Sequence, residues 1–174
     1  MKSLCLAITA LCLFATQAFF VTSSFAGEVS STQNPKNKKF DIPEYANVFS
    51  TESTFEDAKD DLLDSIANHG LVISYTSHAK SMLDNTAEVS GVKKSVYENA
   101  EILLFCKADL SHKLVEGNPH NIVLCPYSIA IYVLSNEPDT VYLSFPKSVE
   151  SNEEIKALTQ PITELLTNII KEVI

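Results

Sequence analysis

Cys106 and Cys125 carry the most chemistry in this chain, and His112 and His120 lie between them in the stretch FCKADLSHKLVEGNPHNIVLCPYSIAIYVL, Phe105 to Leu134. Thiols and imidazoles so placed admit four outcomes. In an exported chain two cysteines most simply form a structural disulfide, here closing a loop of roughly 18 residues and contributing about 3 kcal/mol in the chain-entropy account. They can instead stay reduced as small apolar side chains. A redox-active pair fits less well, because Cys125 is followed by Pro126 and the Cys-x-x-Cys spacing that sets one thiolate at a helix N-terminus is missing. A metal site of Cys106, His112, His120 and Cys125 has donors suited to zinc or copper, but the intervals match no short zinc module. No Gly-x-Ser-x-Gly, glycine-rich phosphate loop or His-Glu-x-x-His occurs, so no catalytic residue is assigned and no cofactor is expected. A ligand pocket is expected at the sheet edge near Asn118, Pro119, Pro126 and Tyr127.

Which thiol chemistry applies depends on compartment. Residues 1–26 begin with Lys2, run apolar from Leu4 to Phe14 and more weakly to Val21, and end in small residues. That is the pattern of a secretory signal peptide, with cleavage expected after Ala26 because Ser24 and Ala26 supply the small side chains that signal peptidase accepts. A membrane anchor is the competing reading, but Thr16, Gln17 and Thr22 to Ser24 interrupt the span a bilayer would require. Neither Cys5 nor Cys12 has the Ala or Gly before it that a lipoprotein signal calls for. The expected location is therefore periplasmic or extracellular, with roughly 148 residues left to build one domain.

The chain has 13 Lys and Arg against 22 Asp and Glu, a net charge of −9, and every one of the cations is Lys. An acidic, arginine-free domain argues against nucleic acid or an anionic membrane as partner, since Arg is the usual residue for bidentate phosphate contact. The charge permits a cationic partner, though solubility accounts for it equally.

The elements that must position the cysteines read as follows. Gly27 to Pro43 is polar and aperiodic, a flexible leader reaching to about Glu44, with Lys36, Lys38 and Lys39 as a solvated cluster or a docking patch. Tyr45 to Glu52 alternates as a first strand. Ser53-Thr-Phe-Glu56 has capping-box form, with Ser53 as cap, and opens a helix to about Asn68 whose stripe is Phe55, Ala58, Leu62, Leu63, Ile66 and Ala67. Glu56, Asp57, Asp60, Asp61 and Asp64 form its solvated face, without EF-hand spacing. Gly70 ends it in the left-handed conformation.

Leu71 to Ser77 is a second strand and His78 to Val89 a weaker helix closed by Gly91, with His69 and His78 at strand ends. Ala100 to Cys106 is apolar on both faces and so an inner strand. Ala108 to Glu116 is a short helix stopped by Gly117 and Pro119. Ile122 to Leu134 is strand-like around Pro126, most securely from Ser128 onward. Asn136 to Asp139 turns into a hairpin strand, Thr140 to Phe145. From Asn152 to Ile174 the stripe Ile155, Leu158, Ile162, Leu165, Ile169 and Val173 marks an amphipathic helix, bent at or restarted by Pro161 with Thr159 as cap. That stripe covers the domain's own sheet or forms a homodimer seam. The aromatic set Tyr97, Phe105, Tyr127, Tyr132, Tyr142 and Phe145 is expected in the core, with Tyr127 able to rim a pocket.

Three features in order, Gly70-Leu-Val, the strand Leu-Leu-Phe-Cys106 with a short helix ending in Gly-Asn-Pro, and Cys125-Pro-Tyr-Ser-Ile-Ala-Ile-Tyr before a hairpin strand, resemble the domain of unknown function 302 family over about Asn47 to Pro146. Phe105-Cys106-Lys-Ala and Asn121-Ile-Val-Leu-Cys125-Pro126-Tyr127 resemble its exported, cysteine-containing branch. The resemblance implies an α+β two-layer sandwich, a mixed sheet of about five strands with helices packed on it, and often a dimer. It implies no reaction, and the final helix lies beyond the matched stretch. Simpler members resembled here have an Asp-Leu-Pro-like step where this chain has Leu-Cys-Pro, so no cysteine function carries over. The expectation is an exported binding or accessory module of the cell envelope, taking a small ligand or an envelope protein. The alternative is a thiol-redox or metal-binding envelope protein that uses the same two cysteines.

Overall fold

A computed structural model of the chain describes residues 40–148 and 151–174, all within one compact unit, Asn34–Ile174. The signal-peptide reading and the leader as far as Lys39 lie outside the described residues. Five strands and four helices follow in the order β1 (Ala46–Thr51), α1 (Phe55–Asn68), β2 (Ile73–Ser77), α2 (Ala79–Ala87), β3 (Tyr97–Phe105), α3 (Ala108–Gly117), a 3-10 turn (Pro119–Leu124), β4 (Tyr127–Leu134), β5 (Glu137–Pro146) and α4 (Glu153–Lys171).

The strands form one sheet in the order β1-β5-β4-β3-β2. The five-stranded α+β sandwich is as expected, but all four pairings are antiparallel rather than mixed. The connections explain why. Phe105, ending β3, sits opposite Tyr127, starting β4, so α3 and the 3-10 turn leave and re-enter at the same end of the sheet instead of crossing its face. A parallel neighbour would need the chain to travel back along the full strand before pairing.

Alternation along the strands separates two faces. Leu103, Phe105, Ile129, Ile131, Val133, Val141, Leu143 and Phe145 point to one face and are buried. There they join Phe55, Ala58, Leu62 and Ile66 of α1, Leu114 of α3, and Ile162, Leu166, Ile169 and Ile170 of α4 in a single core. The final helix thus covers the domain's own sheet. Its buried side is turned slightly from the expected stripe, with Leu166 and Ile170 inside and Leu158, Leu165 and Val173 only partly buried.

Local signals explain most boundaries. Thr54, not Ser53, caps α1, its hydroxyl accepting from the Asp57 amide at 3.1 Å. The helix must begin at Phe55 for that ring to reach the core, so the cap is the residue directly before it. At the other end Gly70 takes φ +72°, and its amide and that of Leu71 bond the carbonyls of Ala67 and Ile66, the paired bonds of a Schellman ending. Gly117 acts otherwise. It is the last residue of α3, and a Cβ there would come within 2.8 Å of Leu158 on α4, so what it provides is close approach of the two helices.

α4 is continuous through Pro161 and is capped by Asn152, whose side chain accepts from the Ile155 amide at 2.9 Å. Thr159 is not a cap. It is buried mid-helix and returns its hydroxyl to the Ile155 carbonyl at 2.9 Å, one turn back. The last hairpin also turns earlier than expected. Leu134 pairs with Glu137, leaving Ser135 and Asn136 as a two-residue turn, and the register shift before Val141 absorbs Pro138, Asp139 and Thr140 as an irregularity within β5.

Candidate functional site

The end of the sheet where β3 leaves and β4 returns brings Cys106 and Cys125 together. Cys106 follows the last residue of β3 and Cys125 closes the 3-10 turn, with their sulfurs 2.9 Å apart. A disulfide would bring them to about 2.05 Å; at the observed separation both thiols are free. Cys106 is exposed and Cys125 half-buried. The peptide joining Cys125 to Pro126 is cis.

Two hydroxyls complete the cluster. Ser111, on the second turn of α3, lies 3.6 Å from the Cys125 sulfur and 3.1 Å from the buried Tyr127 hydroxyl. Partial burial pushes the Cys106 thiol up to about 11, helped by the hydrogen bond and charge of Cys125 beside it. Desolvation likewise raises the Tyr127 phenol, against the opposing hydrogen bond from Ser111. Cys106 and Tyr127 therefore favour their neutral forms at physiological pH. A low-pKa nucleophilic thiolate of the kind found in fast thiol-exchange proteins is not built at Cys106.

The histidines do not join the thiols. His112 follows Ser111, and the helical rotation of one residue carries it to the exposed side of α3. His120 is exposed on the 3-10 turn. Among the described residues no three His, Cys, Asp or Glu side chains gather as a metal site, so the four-residue set Cys106, His112, His120 and Cys125 is not assembled. Of the other two histidines, His69 reaches Glu172 at 3.0 Å and His78 reaches Glu101 at 3.3 Å, each tying together neighbouring elements.

The pocket expected at Asn118, Pro119, Pro126 and Tyr127 divides in two. Pro126 and Tyr127 line a cavity of about 340 Å³, closed on its far side by Ile162 and Leu166 of α4, with Lys147 at its rim. Asn118 lines a smaller cleft of about 230 Å³ between the end of α3 and the start of α4. Asn118 is occupied as a cap, accepting from the His120 amide at 2.9 Å, and Pro119 lines neither space. The 3-10 turn is the cause. The apolar residues Ile122 and Val123 read as strand, yet Asn118 as cap and Pro119 at the first position start a turn that leaves both exposed and puts a wall between the halves.

The fold and the site define a single-sheet α+β sandwich with a paired dithiol at one end of its sheet. Residues 47–173 match the family described as "Domain of unknown function DUF302", and the chain belongs to that family. The match takes in α4, so the final helix is part of the family's domain rather than an appendage beyond it. Among solved structures the chain is similar to that of an uncharacterized conserved DUF302 protein from Bacillus stearothermophilus, at 14% identity with a TM-score of 0.64, covering 76% of this chain and 100% of that one. No curated protein matches the chain. Among the described residues no helix is long and apolar enough to cross a membrane.

Proposed function

We propose that this chain is an exported binding or accessory module of the cell envelope, and that Cys106 and Cys125 become a disulfide there. The observation that carries the reading is the 2.9 Å separation of the two sulfurs across the β3–β4 end of the sheet. Closing the bond requires about 0.9 Å of further approach, within reach of side-chain rotation. The two thiols lose two protons and two electrons to an oxidant of the envelope, a disulfide-donating protein or small disulfide, and form one S–S bond. The signal-like residues 1–26 support the compartment, since disulfides persist where the surroundings are oxidising.

The bond would pin the 3-10 turn to the end of β3 and so hold one wall of the cavity beside Pro126 and Tyr127, where a small ligand would sit. That space lies in the usual size range of small-molecule sites. Exposure of Cys106 favours a second reading in which the same bond opens and closes by exchange with a partner thiol. The raised Cys106 thiol makes such exchange slow near neutral pH.

Mass spectrometry of the protein taken from its own compartment, alkylated without reductant, distinguishes the states. A mass two hydrogens below the reduced chain with no alkylation on either residue supports the bridge. Two alkylated thiols overturn it. A bridge that mild reductant opens readily without loss of fold favours the exchange reading.

A further inference from the structure

The described residues leave the sheet's second face partly open. α2 covers only part of it: Ala79 on the helix and Ala100 on β3 are buried, while Met82 and Leu83 on the same helix stay exposed. Two adjoining hollows of about 450 and 570 Å³ lie over the rest of this face and share Tyr45, Val48, Tyr97 and Tyr132 as lining. Three tyrosines form the floor. Tyr132 stacks on Tyr142 with centroids 5.4 Å apart, and Tyr97 meets Tyr132 edge to face at 5.7 Å. The register makes this array a property of the fold, since Tyr132 and Tyr142 are directly paired residues of β4 and β5.

Among the described residues the charges lining these hollows are of one sign: Asp41, Glu101 and Glu137 are acidic, and no described Lys or His lines either space. Lys59 answers Glu101 at 2.7 Å and His78 does so at 3.3 Å, which leaves Asp41 and Glu137 to set the field over the tyrosines. Glu137 is held in place by the hydroxyl of Tyr142. Electron-rich ring faces beside fixed carboxylates attract a cation and repel an anion. Met82 and Leu83 of α2, with Val48 of β1, add apolar contact for a hydrocarbon or aryl body.

We propose that this tyrosine-floored trough is a binding site for a small organic cation, an aryl or alkyl ammonium, with its charge over the Tyr97, Tyr132 and Tyr142 rings. The site is independent of the cysteine end of the sheet and does not rest on the function proposed there. It accounts for what otherwise stands out on this face: half-buried aromatic rings whose charged companions, among the described residues, are acidic.

The test uses the full chain and three probes of matched size: benzyltrimethylammonium, benzyl alcohol and benzenesulfonate. The chain has no Trp and four of its six Tyr line the trough, so tyrosine emission is weighted toward the site. The expected result is saturable binding of benzyltrimethylammonium, about tenfold tighter than benzyl alcohol, with benzenesulfonate weaker still. Tyr132→Leu should weaken the cation by about tenfold or more and leave benzyl alcohol less affected. In case that variant does not fold, Met82→Lys at an exposed position of α2 should lower cation affinity by a similar factor of about ten without lowering that of benzenesulfonate. Equal binding of cation and anion, no binding of the cation, or unchanged cation affinity in Met82→Lys would each overturn the proposal.

Discussion

The two faces of the sheet are built from the same strands and do opposite work. On the covered face the alternating positions of β3, β4 and β5 are aliphatic or Phe and interlock with α1 and α4 until Leu62, Leu103, Ile129, Ile131 and Leu143 have no exposed surface. On the open face the intervening positions carry Ala100, Ile102, Ala130, Tyr132, Tyr142 and Ser144, and two hollows remain. Apolar area removed from water stabilises the fold on the first face. On the second, area has been left in reach of solvent. The comparison separates residues that hold the domain together from residues free to recognise something, and the cysteine pair sits at the edge between them.

The sharpest way to break that separation is to truncate one side chain on each face. Leu62→Ala should cost about 2–5 kcal/mol, because a fully buried leucine leaves a cavity between α1 and the sheet that packing closes only in part. Tyr142→Phe should cost about 1 kcal/mol or less, since it keeps the stacked ring and removes only the bond to Glu137. Urea unfolding monitored by circular dichroism measures both. Comparable losses would mean that the open face is structural after all.

Next in size is the cysteine bridge. If it forms, oxidised protein should be about 3 kcal/mol more stable than reduced protein, and Cys125→Ser should abolish the difference between the two conditions. The reduced protein carries its own pH signature. The Cys106 thiol is raised above its ordinary 9.0 to about 11 in the fold, so the folded state prefers the protonated form more than the unfolded chain does. That preference favours folding in full below pH 9 and is lost as the pH rises through about 11. Oxidised protein should show no such loss, and denaturant midpoints taken across that window in both redox states would expose the contrast.

Smaller again is the start of α1. Thr54→Ala should cost about 1 kcal/mol, whereas Ser53→Ala, the position that the capping-box pattern favours, should change the denaturant midpoint little.

That off-by-one cap shows how legibility was divided. Periodicity made β1, α1 and α4 readable, and apolar runs made β3 and β4 so, because burial of a stripe or of a strand leaves a direct trace in residue order. Gly70 was readable for a backbone reason, its positive φ. The 3-10 turn was not, because Ile122 and Val123 are β-branched residues of a strand-like run and nothing local says that they face water. The aromatic set split along the faces. Phe105, Tyr127 and Phe145 are core, while Tyr97, Tyr132 and Tyr142 line the open side, a distinction that depends on which helices cover which face. Proximity of Cys106 and Cys125 could be anticipated once their strands were neighbours. The exclusion of His112 and His120 could not, since it follows from the rotation of α3 and the shape of the turn.

The smallest predicted effect concerns the seam that keeps the covered face covered. Near its C-terminus α4 is tied to the end of α1 by Glu172, which accepts from the buried Ser65 hydroxyl at 2.6 Å and lies 3.0 Å from the His69 ring. The same serine also reaches the Ile169 carbonyl at 3.1 Å. Hydrogen bonds from Ser65 and then His69 hold the Glu172 carboxyl below its ordinary value of 4.5. A carboxylate lowered in the folded state favours folding above its unfolded pKa and loses that contribution as the pH falls through the lower folded value. Acid should therefore loosen this seam only below about pH 4.5, with the loss still in progress beneath it. Amide exchange in the last two turns of α4 should quicken in that window before exchange in β3 and β4 does. Glu172→Gln should make the exchange of those turns less dependent on pH. If the strands open together with the helix end, the clasp is not a separate unit and the covered face yields as one body.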